Sequence, residues 1–258
     1  MVAYDSAALW DARVSSSRGD GEGDGRGNAP DTDWFCGYDK LLPLISHVLE
    51  RPRCAVLCIG TGTSTFPEQV YDKGAKQVVV VDASAAAMDA VRSRNAEART
   101  GLTVLCGDVA AQPFPLLPQP TQRFDLVVDK GTVDCLLGAR DGWRAAERAL
   151  RELYERMRTP GTLLLVSHSP PHERMDMLAS VPHWHDVQFK MVTATSLDKL
   201  VTGAEYTEEL SDYPYAVEGW EHMQAARLGL KPEELPRRPA DAGIEFAPGT
   251  AYVYLLER

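Results

Sequence analysis

Apolar residues recur along the chain in short unbroken runs, separated by stretches of mixed and periodic character. Ala55-Val56-Leu57-Cys58-Ile59 is closed by Gly60, and Val78-Val79-Val80-Val81 is β-branched throughout. Runs of this kind predict strands buried on both faces of a parallel sheet. Leu102–Cys106, Phe124–Val128 and Thr162–Val166 read the same way. A helix is predicted over Ser64–Lys73, stopped by Gly74, and a second over Ala85–Arg99, ended by Gly101. Between Trp143 and Met157, apolar residues fall at 143, 146, 149, 150, 153, 154 and 157. That is a helical stripe directed at a core, and Pro160-Gly161 breaks it. Two late strands remain: Val187, Phe189 and Met191 alternate with polar positions, and Ala251–Leu256 is a further apolar run. Strands alternating with helices predict an α/β fold, a doubly wound, mostly parallel seven-stranded sheet with right-handed crossovers.

Three stretches fall outside this alternation. Residues 15–32 hold five glycines, six charges and no large apolar side chain. Burial cannot offset the ordering entropy of such a segment, which predicts a flexible insertion. Gln112–Arg123 carries Pro113, Pro115, Pro118 and Pro120 and predicts a surface connection. Residues 197–246 separate the last two strands by too great a length for a hairpin loop. With a helix expected near Val217–Leu228, they read as a small inserted cap. The whole, 1–258, is expected to be a single domain.

The 258 residues are 44% hydrophobic and 25% charged, enough for a sizeable core. A net charge of −10 argues against a nucleic-acid or anionic-membrane partner and suits a basic protein partner. Neither a membrane-spanning run nor a secretory leader is visible, so a cytoplasmic protein is expected. The cysteines, Cys36, Cys54, Cys58, Cys106 and Cys135, lack paired metal-ligand spacing and read as reduced thiols. His168, His172, His183 and His185 could in pairs act as base or ligand, but no third ligand stands at sensible spacing, so surface or loop positions are expected. No metal is expected.

In doubly wound sheets, ligands bind beyond the carboxyl ends of the strands. Gly60-Thr61-Gly62 follows the first strand, where glycine lets backbone approach a ligand and the next helix offers its amides to an anionic group. Thr65 stands where the dinucleotide fingerprint has its third glycine, which disfavours NAD. Asp82 ends the valine strand 22 residues after Gly60, placed to accept two ribose hydroxyls or to cap the following helix. Asp108-Val109 could meet an adenine edge through its carboxylate and backbone N–H, or form a turn. Asp129 and Lys130 end the next strand, followed by Gly131 and Asp134.

These successive motifs resemble those of class I S-adenosylmethionine-dependent methyltransferases. The segment Asp129-Lys130-Gly131-Thr132-Val133-Asp134-Cys135-Leu136-Leu137 resembles the signature of a subgroup that methylates elongation factor 1 alpha. Leu9-Trp10-Asp11-Ala12-Arg13-Val14 and Asp33-Trp34-Phe35 echo that subgroup's N-terminal patterns. The resemblance covers about residues 4–170 without the glycine-rich insertion, and it is not visible from Leu197 to Phe246. It implies a Rossmann-like methyltransferase fold, S-adenosyl-L-methionine as cofactor and a protein substrate such as elongation factor 1 alpha. It also implies that Trp10, Arg13 and Trp34 wall the cofactor and that Gly60 and Gly62 approach its methionine part. Asp82 and Ala83 would take the ribose, Asp108 and Val109 the adenine, and Asp129 and Lys130 would line the route to the methyl group. Thr61, Thr63 and Val14 depart from the subgroup's cysteine, asparagine and tyrosine.

Methyl transfer to an amine is an in-line displacement that requires the acceptor to be held collinear at about 3 Å. A lysine must first lose its proton, against a pKa of about 10.4. Asp129 or Asp134 could orient the ammonium, and Asp134 is the candidate base. The alternatives are a methyltransferase for a protein N-terminus or a small molecule, an NAD-dependent oxidoreductase, and a non-catalytic scaffold of the same fold.

Overall fold

A computed structural model describes residues 7–16, 33–95, 98–111, 114, 117, 121–139, 141–169, 174, 177–181, 184–193, 211–212 and 250–258. The elements run α1 (Ala7–Ser16), α2 (Tyr38–Leu49), β1 (Ala55–Ile59), α3 (Phe66–Lys73), β2 (Gln77–Asp82), α4 (Ala85–Asn95) and β3 (Leu102–Cys106). They continue with β4 (Phe124–Lys130), α5 (Thr132–Leu137), α6 (Gly142–Glu155), β5 (Met157–Ser167), β6 (Asp186–Thr193), β7 (Ser211–Asp212) and β8 (Thr250–Glu257).

The strands form one sheet in the order β3-β2-β1-β4-β5-β8-β6-β7. The first five are mutually parallel, and β8 runs antiparallel to both β5 and β6. The predicted mostly parallel sheet is therefore present. The two-residue β7 extends it to eight strands, and β7 lies inside the segment expected as a cap. The rest of 197–246, and 17–32 of the glycine-rich stretch, fall outside the described residues; Ser15 and Ser16 end α1.

Alternate residues of each central strand face opposite layers, as the two-residue side-chain period requires. Val56, Cys58, Val78, Val80, Leu126 and Val128 meet one layer, formed by α2, α3 and α4. Leu57, Ile59, Val79, Val81 and Val127 meet the other, formed chiefly by α6 through Ala146, Ala149, Leu150 and Leu153. A sheet buried on both faces accounts for the unbroken apolar runs.

Several boundaries differ from expectation. The helix after β2 is described over Ala85–Asn95, and residues 96–97 of the expected span fall outside the described residues; the Asn95 side chain donates to the Val91 carbonyl and to Glu68. Pro160-Gly161 does not precede a new strand but lies within β5. Between the pairs Phe124↔Met157 and Leu126↔Thr162, β5 spends five residues where β4 spends two, so the break is taken up as a bulge. Trp143, the first member of the helical stripe, is 47% exposed. Gly142 packs against the Leu136 and Leu137 carbonyls, and one residue further on the helix turns by about 100°, directing the indole outward. No helix among the described residues is long and apolar enough to cross a membrane.

Candidate active site

Beyond the carboxyl ends of β1, β2, β3 and β4 lies a cavity of about 490 Å³. Its floor begins at the loop after β1. Gly60 and Gly62 both hold φ of +55°, in the region that favours glycine. Their reasons differ. A Cβ on Gly60 would stand 1.9 Å from Thr132 Oγ1, so this glycine lets α5 pack against the loop. A Cβ on Gly62 would meet nothing within 4 Å, and Gly62 lines the cavity.

Asp82, at the end of β2, ties two turns together. Its Oδ2 accepts the Gly62 N–H at 2.8 Å and its Oδ1 accepts the Ser84 N–H at 2.8 Å. Burial pushes its pKa up, the two N–H bonds pull it back, and Asp11 raises it again. Each oxygen retains acceptor capacity toward the cavity. Ala83, Asp108 and Val109 also line the cavity, and Asp108 Oδ1 accepts the Ala110 N–H at 2.8 Å.

Further lining comes from α1 and from Asp33 and Trp34. Asp11 accepts hydrogen bonds from Ser84 Oγ at 2.6 Å and from the Ala86 N–H at 3.0 Å, holding α1 on the amino end of α4. These bonds keep its pKa below the usual carboxylate value. Trp10 and Trp34 meet edge to face at 5.7 Å, and the Arg13 guanidinium lies 5.3 Å and 5.9 Å from their ring centres. Lys130 Nζ is 2.8 Å from Asp33 Oδ1, which also accepts from Ser64 Oγ. The same ammonium stands 5.2 Å from the Phe66 ring centre.

The cavity thus brings together Trp10, Arg13, Trp34, Gly60, Gly62, Asp82, Ala83, Asp108, Val109 and Lys130. It does not bring in Asp129 or Asp134. Asp129 is fully buried and accepts the Thr132 and Val133 N–H groups at 2.7 and 3.2 Å, so its carboxylate is engaged at the amino end of α5. Burial pushes its pKa up to about 7 against those bonds, with Asp134 adding to the rise.

Asp134 is the hub of a separate cluster. It accepts from Ser167 Oγ at 2.6 Å, the His168 N–H at 2.9 Å and Arg174 Nη2 at 2.6 Å, and its Oδ2 lies 2.7 Å from His168 Nδ1. Burial alone would raise its pKa, but the His168 hydrogen bond and the Arg174 charge hold it below the ordinary value. The side-chain bonds of both aspartates run to α5 and its neighbours, so neither carboxylate is among the groups that line the cavity. His168 is 59% exposed in its side chain, His185 is exposed, and His172 and His183 fall outside the described residues.

Sequence reasoning assigned no role to Asp33, Ser64, Phe66 or Asp11. Asp33 and Asp11 stood inside the quoted N-terminal patterns, but nothing local says which partner a carboxylate finds 97 residues away. Among the described residues, no group of three or more His, Cys, Asp or Glu side chains could hold a metal.

The cavity fits a sulfonium nucleoside. Asp82, Asp108 and the glycine backbone at Gly62 line it, and the buried Thr61 Oγ1 beside Gly62 has no hydrogen-bond partner among the described residues. Comparison with known proteins agrees. Residues 56–161 match a methyltransferase domain family. Human mitochondrial citrate synthase-lysine N-methyltransferase is 32% identical over 185 residues, which cover 66% of this chain and 73% of that protein. The eEF1A lysine and N-terminal methyltransferase of Bos taurus is 30% identical over 142 residues, 54% of this chain but a span of only 20% of that much longer protein. The N-methyltransferase NodS from Bradyrhizobium japonicum, solved with S-adenosyl-L-homocysteine, shares the fold at a TM-score of 0.55 and 11% identity, covering 96% and 98% of the two chains.

The chain belongs to the class I S-adenosylmethionine-dependent methyltransferases. Its methyltransferase domain takes S-adenosyl-L-methionine as cofactor, which leaves the oxidoreductase alternative without support.

Proposed function

We propose that this methyltransferase modifies a lysine side chain of a protein acceptor, with elongation factor 1 alpha as the first candidate and the cytoplasm as its location. The observation that carries the reading is that two different relatives, aligned over 66% and 54% of this chain, both bear names of protein-lysine methyltransferases. Their acceptors differ, citrate synthase in one and eEF1A in the other, while the amine chemistry is common. The chain's net charge of −10 favours encounter with a basic acceptor.

The cofactor supplies a methyl group on a positively charged sulfur. The protein's own task is to bind, orient and keep water out. Asp82 and Asp108 are placed for the nucleoside, while the bare backbone at Gly62 admits close approach. Trp10 and Trp34 line the cavity with aromatic surface, which supports a restricted line of approach for the acceptor.

The name of the Bos taurus relative also includes N-terminal methylation, which favours a second reading with a protein α-amine as acceptor. An α-amino group, with a pKa of about 8, loses its proton more readily than lysine. Incubation with labelled S-adenosylmethionine and recombinant eEF1A or citrate synthase, followed by mass-spectrometric mapping, separates these cases. Label on a lysine, lost when that lysine is changed to arginine, is the expected result. Label confined to the first residue moves the assignment to the N-terminus, and an unlabelled pair of proteins removes both named acceptors.

A further inference from the structure

The cavity has two chemically distinct ends. Asp108 and Asp82 stand at β3 and β2, the nucleoside end. Lys130 stands at β4, two strands beyond β2, and neighbouring strands lie about 4.8 Å apart. A nucleoside held over β2 and β3 would leave β1 and β4, with Gly62 and Lys130, for the methyl-bearing end.

Four aspartates line the cavity: Asp33, Asp82, Asp108 and Asp141. Asp82 and Asp108 belong to the nucleoside end, and Asp141 is paired with Arg148 at 3.5 Å at the start of α6. Asp33 is the carboxylate among them joined to the β4 end, through Lys130. Among the described residues its hydrogen bonds come from Lys130 Nζ and Ser64 Oγ, and both fall on Oδ1. A carboxylate offers about four lone-pair sites, so Oδ2 keeps its capacity to accept. Beside it, Lys130 already rests within 5.2 Å of the Phe66 ring centre, and Trp34 follows Asp33 in the chain. Aromatic faces next to a carboxylate suit a cationic amine.

We propose that Asp33 receives the ammonium group of the acceptor through Oδ2, sharing its charge between Lys130 and the incoming amine. The proposal rests on the reading of an amine acceptor and names the residue that recognises it. It replaces Asp129 and Asp134, whose carboxylates are engaged at α5, as the acidic group facing the acceptor.

The test uses the full chain saturated with S-adenosyl-L-homocysteine. The probe is Nα-acetyl-lysine methylamide, titrated in while tryptophan fluorescence is followed. Wild-type protein is expected to bind it saturably, and Asp33→Asn at least tenfold more weakly, with the affinity for S-adenosyl-L-homocysteine unchanged within twofold by calorimetry. Nα-acetyl-norleucine methylamide, which lacks the charge, is expected to bind the wild type at least tenfold more weakly than the lysine probe. This arm needs no variant and so survives a misfolded one.

Equal binding of the two probes, or no binding of the lysine probe to wild type, overturns the proposal. So does Asp33→Asn with unchanged probe affinity. A tenfold loss of S-adenosyl-L-homocysteine affinity in that variant also overturns it, because Asp33 would then hold the cofactor's own ammonium. A wild type that binds the lysine probe but leaves eEF1A and citrate synthase unlabelled refutes those acceptors and leaves the ammonium site standing.

Discussion

Gly60 and Gly62 share a backbone conformation and a motif, yet they fail differently when substituted. Gly60→Ala places a methyl group 1.9 Å from Thr132 Oγ1, a residue pinned by its own hydrogen bond to the Ile59 carbonyl at 3.2 Å. The expected outcome is a loss of about 3 kcal/mol or more in urea unfolding, from overpacking and the unfavourable φ together. Gly62→Ala meets no atom of the protein, so its stability cost should be only the left-handed backbone penalty of about 1–2 kcal/mol. Its affinity for S-adenosylmethionine should fall at least tenfold by calorimetry, because the added methyl occupies the cavity. Equal stability losses in the two variants would contradict this division. The GxG pattern was legible in the sequence, but the reason for its first glycine was not, since Thr132 meets it only through the fold. The same limit applied to Asp129 and Asp134. A carboxylate after a strand looks alike in sequence whether it faces a ligand or accepts backbone N–H groups.

Helix α5 is held by two aspartates, Asp129 at its amino end and Asp134 within its first turn. Asp134 joins it to the end of β5 through Ser167 and His168 and to Arg174, whose side chain is only 3% exposed. Asp134→Ala leaves that guanidinium buried without its charge partner, a situation that costs about 3–5 kcal/mol. An unfolding free energy in urea within about 0.5 kcal/mol of wild type would show that the cluster is not structural. Elements with unbroken apolar runs were legible because a sheet covered on both faces writes them directly into the chain. Helix α2 was not read, although Leu41, Ile45, Val48 and Leu49 form a buried stripe at helical spacing. Pro43 sits inside it and carries the usual signal of a helix end. In the reverse direction, Pro160-Gly161 carried the same signal and was absorbed by a bulge in β5.

For the whole molecule, two buried carboxylates give stability opposite dependences on pH. Asp129 titrates near 7 when folded against an ordinary value of 3.8, so over that window the unfolded chain binds fewer protons and stability falls as pH rises. Asp134 is held below its ordinary value, so its contribution is present above that value and is lost as pH falls through the folded one. The melting temperature of wild type should therefore decline from pH 5 to pH 7.5, and Asp129→Asn should flatten that decline; parallel curves would remove Asp129 as the cause. The strand runs predicted the sheet, but apolar runs do not name their neighbours, and the place of β8 could not be read from them. Strand β8, the last described strand in chain order, lies between β5 and β6 and pairs with both. During synthesis, β5 and β6 have therefore both emerged from the ribosome with unsatisfied edges before residues 250–257 arrive to join them. The nascent chain must carry two adhesive strand edges through the translation of more than fifty intervening residues, an interval in which a chaperone would find its binding site and in which misassembly with another chain competes.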